Sequence, residues 1–245
     1  MIFELPGKLL HMFMKGSFQN MERSVILLNN YHELMKIYGW NQDPILDRSD
    51  IYEFNYIEDV NERRIRDAES LATVMRNVRP TVALEIGTAK GMSTVLMSVN
   101  SPDSKIFTLN IPPEEIHAGK GGTLTTVALE RENIGIAYRE RNLRNITQIL
   151  ANTATWEPQI GEIDVAFIDG CHDSEFVYND TRKVLKHMKP GGFILWHDFN
   201  LDMMNKFGWI KSVCSGVEKL YADGLIKGRI FQVRDSWVGI YRITE

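Results

Sequence analysis

Val82-Ala83-Leu84-Glu85-Ile86-Gly87-Thr88-Ala89-Lys90-Gly91-Met92-Ser93 constrains the fold of this chain more than any other stretch. An apolar run ends in an acid, a glycine follows, and a second glycine comes four residues later. Ser93 to Val99 then reads as the start of a helix. A strand, a tight loop and a helix N-terminus, in that order, are how an α/β sheet offers backbone amides to a nucleotide-like ligand. The dinucleotide pattern G-x-G-x-x-G is not met. Gly87 and Gly91 instead frame G-x-x-x-G with Ala89 between them, and no G-K-[ST] is present. The loop therefore suits a nucleoside ligand that carries no pyrophosphate.

A chain of 245 residues can bury one substantial core with a small appendage. A net charge of −4 argues against a sequence-independent nucleic-acid binder, which usually carries a basic face. Arg131, Arg139, Arg141 and Arg144 do cluster, but Glu130, Glu132 and Glu140 interleave them, so the segment reads as a solvated helix face. Cys171 and Cys214 make no disulfide framework and no C-x-x-C, so a reducing compartment is the default. The apolar patch from Leu9 to Met14 is short and broken by His11, which does not read as a signal peptide. No run approaches the ~18 apolar residues of a membrane span. A cytoplasmic protein with no membrane partner is expected.

Residues 1–58 stand apart, with Met, Phe, Tyr and Trp at irregular spacing. Met21 to Tyr38 is compatible with an amphipathic helix carrying Val25, Leu28, Met35 and Tyr38 on one side. Gly39 to Pro44 reads as a stop and turn. This N-terminal helical extension is expected to pack on the core or to serve as a lid over the acceptor site or the arm of a homodimer. Residues 59–245 then form the main domain. Its first helix, Asn61 to Val78, places Ile65, Ala68, Leu71, Ala72 and Met75 at spacings of three and four, and Pro80 stops it.

Strands are expected at Val82–Ile86, Lys105–Asn110, Ile146–Leu150, Ile163–Asp169, Phe193–His197, Ile230–Arg234 and Val238–Ile243. Helices are expected at Ser93–Val99, around Thr123–Glu132, at Glu175–Met188 and at Trp209–Ala222. Strands alternating with helices imply a doubly wound, Rossmann-like α/β fold. Its seven-stranded sheet is mainly parallel. The last two strands lie too close for a crossover helix and should pair antiparallel.

In such sheets the ligand binds outside the carboxyl ends of the strands. Those ends carry Glu85 with the glycine loop, then Asn110, then Asn152-Thr153, then Asp169-Gly170, then His197-Asp198. Each offers a hydrogen-bond acceptor. Strand ends are polar in any case, yet a polar group at every one, beside such a loop, points to one binding crevice.

The stretches FIDGCH at 167–172 and LKHMKPGGFILWHDF at 185–199 resemble the class I S-adenosylmethionine (SAM)-dependent methyltransferases. The group resembled is the one that includes the macrocin-type sugar O-methyltransferases and, more distantly, the catechol type. IFTLNIPPE at 106–114 resembles the second-strand motif of bacterial members, and the likeness spans roughly residues 60–245. It implies methyl transfer from SAM to a hydroxyl of a small molecule of sugar or natural-product type.

By that resemblance Glu85 lies near the methionine moiety or buttresses the loop. Gly87, Thr88, Ala89 and Gly91 let the backbone approach the cofactor, and Ser93 sits at the helix N-terminus. Asn110 stands where the family usually places an acid for the ribose hydroxyls. Asn152, ahead of Thr153 and Ala154, stands where an Asp near adenine is common. An amide oxygen accepts a hydrogen bond at either place without charge assistance. Asp169 and Asp198 match positions that hold a divalent cation, usually magnesium, but their neighbours here are His197 and Phe199, so the usual third oxygen ligand is missing. Magnesium prefers oxygen, and a histidine favours a softer metal. His172 matches the general base of the macrocin-type enzymes and would also lie by the cofactor. His197 is read as buried and hydrogen-bonded, or as a ligand. Cys171 reads as a small buried hydrophobe. Trp40, Phe199, Trp209 and Trp237 are candidates for an acceptor pocket or for the core. The alternatives are a non-catalytic SAM- or nucleoside-binding protein, which Asn110 and Asn152 favour, and a methyltransferase acting on RNA or protein.

Overall fold

A computed structural model describes residues 18, 21, 23–46, 58–124 and 128–244. The chain forms β1 (Val25–Leu28), α1 (Tyr31–Tyr38), α2 (Glu58–Val78), β2 (Val82–Ile86), α3 (Met92–Asn100), β3 (Lys105–Asn110) and α4 (Pro113–His117). It continues through α5 (Ile136–Glu140), β4 (Ile146–Leu150), β5 (Ile163–Ile168), α6 (Ser174–Leu185), β6 (Met188–Trp196), α7 (Gly208–Ala222), β7 (Ile230–Val233) and β8 (Gly239–Arg242). The strands make one eight-stranded sheet in the order β1-β7-β8-β6-β5-β2-β3-β4. All pairs are parallel except those of β8, which runs antiparallel to β6 and β7. From β2 the chain winds outward through β3 and β4, then returns to β5 on the other side. That reversal, between β2 and β5, is where a doubly wound sheet opens a crevice at its carboxyl ends.

Side chains alternate across the central strands, as a pleated strand requires. Ala83, Val165, Phe167 and Leu195 face a core shared with Leu34, Leu71, Met75 and Met97. Leu84, Ile86, Ala166, Ile168 and Trp196 face the opposite core, built with Val177, Val184, Ile210, Val213 and Val217. Helices thus cover both faces, and the sheet carries its polar strand ends to one edge.

The N-terminal segment departs from the single helix expected over Met21–Tyr38. Val25–Leu28 is a strand, paired in parallel with Ile230–Val233, and it makes the sheet eight-stranded rather than seven. Val25 and Ile26 are β-branched and favour that extended state. The helix begins only after Asn30, whose side chain accepts from the Glu33 N–H, and it ends at Gly39 with φ of +67°. Tyr38 and Trp40 then pack on Phe193, with ring centroids 5.2 and 5.4 Å away. The described part of the extension is therefore built into the sheet and its core. The helix expected around Thr123–Glu132 is absent among the described residues. Arg131–Asn133 is a single tight turn, and α5 starts only after Gly135. Residues 125–127 and the Leu9–Met14 patch lie outside the described residues. No helix among the described residues is long and apolar enough to cross a membrane.

Leu34 in α1 is fully buried. Leu34→Ala should therefore lower the unfolding free energy by about 2–5 kcal/mol, read from a urea or guanidinium midpoint. An unchanged midpoint would mean that this segment contributes nothing to the fold.

Candidate active site

The turn after β2 is shaped by its glycines. Gly87 adopts φ of +104°, and a Cβ there would stand 1.9 Å from the Asp169 carbonyl oxygen, so only glycine lets the two strand ends meet. The Gly87 and Thr88 amides donate to the Leu109 carbonyl at 2.8 and 3.1 Å. The Ala89 amide donates to Asn110 Oδ1 at 3.0 Å. Ala89 itself is left-handed, with φ of +45°. The loop is thus held open over a cavity of about 570 Å³, a size ordinary for a small-molecule site.

Glu85 lies behind this loop. It is fully buried and accepts from Ser93 Oγ at 2.5 Å, Thr108 Oγ1 at 2.5 Å and Thr94 Oγ1. Burial outweighs these donors and pushes its carboxyl up to about 7. Glu85 therefore ties β2, β3 and the start of α3 together. Of the two roles expected for it, the geometry shows the buttress, since it does not line the cavity. Ser93 spends its hydroxyl on Glu85, and the residue that caps α3 is Gly91.

The two asparagines are also committed. Asn110 accepts from Ala89 through Oδ1 and donates through Nδ2 to the Ile111 carbonyl at 2.9 Å. Asn152 donates to Glu115 Oε2 at 2.9 Å and to the Lys120 carbonyl at 3.2 Å, and its Oδ1 accepts from the Ala154 amide at 2.9 Å. The buried Lys183 ammonium donates to the carbonyls of Thr153 and Trp156, both at 2.7 Å, and fixes the loop after β4. Asn110, Asn152 and Thr153 line the cavity; the exposed Ala154 does not.

The far wall is an Asp–His cluster at the tips of β5 and β6. His172 Nε2 stands 3.1 Å from Asp198 Oδ2 and 3.7 Å from Asp169 Oδ1. His197 Nδ1 stands 3.1 Å from Asp169 Oδ1 and 3.7 Å from Asp198 Oδ2. On their other sides the rings are anchored. His172 Nδ1 lies 3.0 Å from the Leu124 carbonyl oxygen, and His197 Nε2 lies 3.3 Å from Asp67 Oδ2. A carbonyl can only accept, so His172 Nδ1 carries a proton. Asp67 is held in turn by Arg63 at 2.8 Å, the Ser236 hydroxyl at 2.8 Å and the Trp237 amide at 2.6 Å. Asp198 sits at φ of +52°, an uncommon conformation for a residue other than glycine, and asparagine and aspartate adopt it most readily.

The charges in this cluster set one another. Burial opposes the imidazolium of His172, but Asp169 and Asp198 outweigh it and raise the ring to about 10. His197 is raised well above its ordinary value by the same carboxylates, again against burial. Burial acts to raise Asp169 and Asp198, yet His197 and His172 hold both below the usual carboxylate range. Even so, His172 Nε2 and His197 Nδ1 are buried and receive no aligned hydrogen bond. Their contacts with the carboxylates have the distance of an ion pair without the angle of a hydrogen bond.

Gly87, Thr88, Ala89, Gly91, Ser93, Asn110, Asn152, Thr153, Asp169, His172 and Asp198, all singled out in the sequence, line this cavity. Cys171 is half-buried and lines it too, rather than sitting in the core. Trp40, Phe199, Trp209 and Trp237 do not; Phe167 and Phe176 are the aromatic walls. Phe199 is fully buried, and Trp237 lies under the Arg63 guanidinium at 4.2 Å. Among the basic residues near 131–144, Arg131 pairs with Glu114 at 2.7 Å and Arg139 donates to the Ile134 and Glu132 carbonyls. Sequence reasoning missed Asp67, Arg63 and the Leu124 carbonyl. Asp67 was detectable in principle, because it lies four residues before Leu71 on the buried stripe of α2, where a carboxylate needs a reason to be.

Residues 84–199 match a family model described as a methyltransferase domain. An uncharacterized protein, R132, of Acanthamoeba polyphaga mimivirus is 26% identical over 161 residues, which are 64% of this chain and 66% of that protein. The chain is similar in fold to the Podospora anserina methyltransferase PaMTH1, solved with SAH bound, at a TM-score of 0.55 and 17% identity, covering 100% of this chain and 99% of that one. It is similar also to the O-methyltransferase NovP, at a TM-score of 0.59 and 14% identity, covering 81% and 95%.

The raised Glu85 carboxyl makes a pH prediction. The unfolded chain loses this proton near its ordinary value of 4.5, whereas the folded chain keeps it to about 7. Between those values the folded state binds more protons, so its stability falls as pH rises. Glu85→Gln removes that contribution. Unfolding titrations from pH 4.5 to 8 should show the wild type losing stability relative to the variant, and parallel profiles would contradict the assignment.

Proposed function

We propose that the chain is a SAM-dependent methyltransferase that methylates a hydroxyl oxygen of a small molecule, of sugar or natural-product type. The observation that carries this reading is the placement of the Asp–His cluster in the same cavity as the Gly87–Gly91 loop. A methyl donor over the loop and a hydroxyl at the cluster would be neighbours. The name of NovP, an O-methyltransferase, supports the choice of oxygen.

The reaction is an in-line displacement. The acceptor oxygen forms a bond to the methyl carbon, the carbon–sulfur bond breaks, its electron pair stays on sulfur, and the hydroxyl proton passes by way of the Asp169 carboxylate to solvent. The protein must align the reactants and take that proton. The Gly87–Gly91 loop and the Asn110 and Thr153 region shape the side of the cavity that takes the nucleoside. Ala68, Leu71 and Phe167 give the cavity apolar walls that exclude water. Asp169, with 26% of its side chain exposed, is the most open of the carboxylates around the two rings and faces the acceptor.

His172 Nδ1 is anchored on the Leu124 carbonyl and Nε2 faces Asp198, so in this reading it acts as a member of the cluster and not as a free base. Two buried ring nitrogens without aligned partners, facing two carboxylates, fit a divalent cation. Asp169 and Asp198 would hold it together with those nitrogens. Such a cation supplies Lewis acidity that eases loss of the hydroxyl proton. Bringing the acceptor hydroxyl to that edge of the cavity is the work of Asp169, and keeping Asp198 in place is the work of His172.

A second reading, binding of SAM or a nucleoside without turnover, draws on Asn110 and Asn152, whose amides are spent on the protein itself. Calorimetry with SAM and transfer of a labelled methyl group to a panel of hydroxylated acceptors separate the two. Binding and transfer to at least one acceptor are expected. Binding with no transfer in the presence of several divalent ions would favour the second reading. His172→Ala, which removes one side chain of the cluster, should slow the single-turnover methyl-transfer rate by roughly 10–100-fold while leaving SAM affinity nearly unchanged. An unchanged rate would remove His172 from the reaction.

A further inference from the structure

We propose that His172, His197, Asp169 and Asp198 form a transition-metal site of two imidazoles and two carboxylates. Asp67 and the Leu124 carbonyl are its outer partners, and it takes a divalent first-row transition ion in preference to magnesium. The inference shares its site with the proposed methyl transfer and deepens that reading by naming the ion's class.

The geometry carries it. His172 Nε2, His197 Nδ1, Asp169 Oδ1 and Asp198 Oδ2 alternate around one small space, with nitrogen–oxygen separations of 3.1, 3.1, 3.7 and 3.7 Å. One ligand atom each from Asp169, His172 and His197 falls within 4.8 Å of the others, and Asp198 Oδ2 lies beside this group, 3.1 Å from His172 Nε2. The inner ring nitrogens are buried and lack aligned hydrogen bonds, and each lies 3.1 Å from a carboxylate oxygen.

The outer nitrogens complete the argument. A histidine that binds a metal through one nitrogen almost always donates its other N–H to a carboxylate or a backbone carbonyl, which fixes tautomer and ring orientation. His197 faces Asp67 at 3.3 Å, and His172 faces the Leu124 carbonyl at 3.0 Å. Asp67 is itself immobilised by Arg63, Ser236 and Trp237, from α2 and from the segment before β8. Magnesium favours near-octahedral oxygen sites and loses water reluctantly, whereas imidazole suits zinc, iron, copper and nickel. Two nitrogen donors among four therefore select against magnesium. The competing arrangement is a metal-free ring of two imidazolium ions and two carboxylates, and it is an outcome of the test.

The test uses the full chain, stripped with chelator and titrated with Co²⁺. Visible absorption bands of a low-symmetry nitrogen–oxygen site should grow to one ion per chain. A large excess of Mg²⁺ should leave them in place, and Zn²⁺ should remove them. Asp67→Asn, which touches no metal position, should weaken Co²⁺ binding roughly 10–100-fold. Its folding is checked by circular dichroism. If that variant does not fold, the wild-type competition between Co²⁺ and Mg²⁺ decides alone.

A spectrum that stays that of aqueous Co²⁺, displacement by an equal concentration of Mg²⁺, or unchanged binding by folded Asp67→Asn overturns the proposal. Methyl transfer without a cobalt spectrum would overturn the metal site and leave the reaction standing. A cobalt site in a protein that transfers no methyl group would do the reverse.

Discussion

Buried opposite charge at the tips of two adjacent strands is the constraint on which the rest of the site depends. Asp169 and Asp198 follow β5 and β6, which are neighbours in the sheet, and each carboxylate lies 3.1 Å from a histidine nitrogen. Carboxylates drawn out of water are costly unless cations answer them. His172 and His197 supply the answer from the turn after β5 and the end of β6. Their rings are fixed in turn by Leu124 and Asp67. The chain thereby couples α2, the segment before β8 and the loop around residue 124 to one charged centre. None of these would otherwise need to meet.

A second buried carboxyl, Glu85, performs the mechanical counterpart. It draws hydroxyls from α3 and β3 onto the end of β2 and so sets the path of the glycine loop. The loop is then pinned by Leu109 and Asn110 on one side and abuts Asp169 on the other. Glycine loop and charged cluster share a wall at Gly87, whose missing side chain lets them touch. The position of the loop relative to the cluster thus follows from how β2 and β5 pack.

Most of the doubly wound core was legible because its signals are local. Val82–Ile86, Lys105–Asn110 and Ile146–Leu150 are short apolar runs bounded by turn residues, and they form strands with those limits. The antiparallel pairing of β7 with β8 followed from the short connection between them. Val25–Leu28 was not legible as a strand, because its partner is β7, some two hundred residues away, and its hydrophobic spacing also satisfies a helix. In the site, the strand ends announced Asp169 and Asp198 by position, and the family resemblance pointed to His172. Asp67 and the Leu124 carbonyl were hidden. One is a charged residue in an otherwise regular amphipathic helix, and the other is a backbone atom that no side-chain pattern reports. Trp40 and Phe199 misled for the opposite reason: aromatic residues serve cores and pockets alike, and only packing tells them apart.

The account's central claim is that one crevice holds the methyl donor and the Asp–His cluster side by side. The most direct measurement is a long-wavelength anomalous difference map from crystals soaked with S-adenosylhomocysteine and Mn²⁺, in which sulfur and manganese both scatter. The account predicts a sulfur peak in the cavity beside Gly87–Gly91 and a manganese peak bounded by His172, His197, Asp169 and Asp198. A sulfur peak outside that cavity, or no manganese among those four side chains, would contradict it.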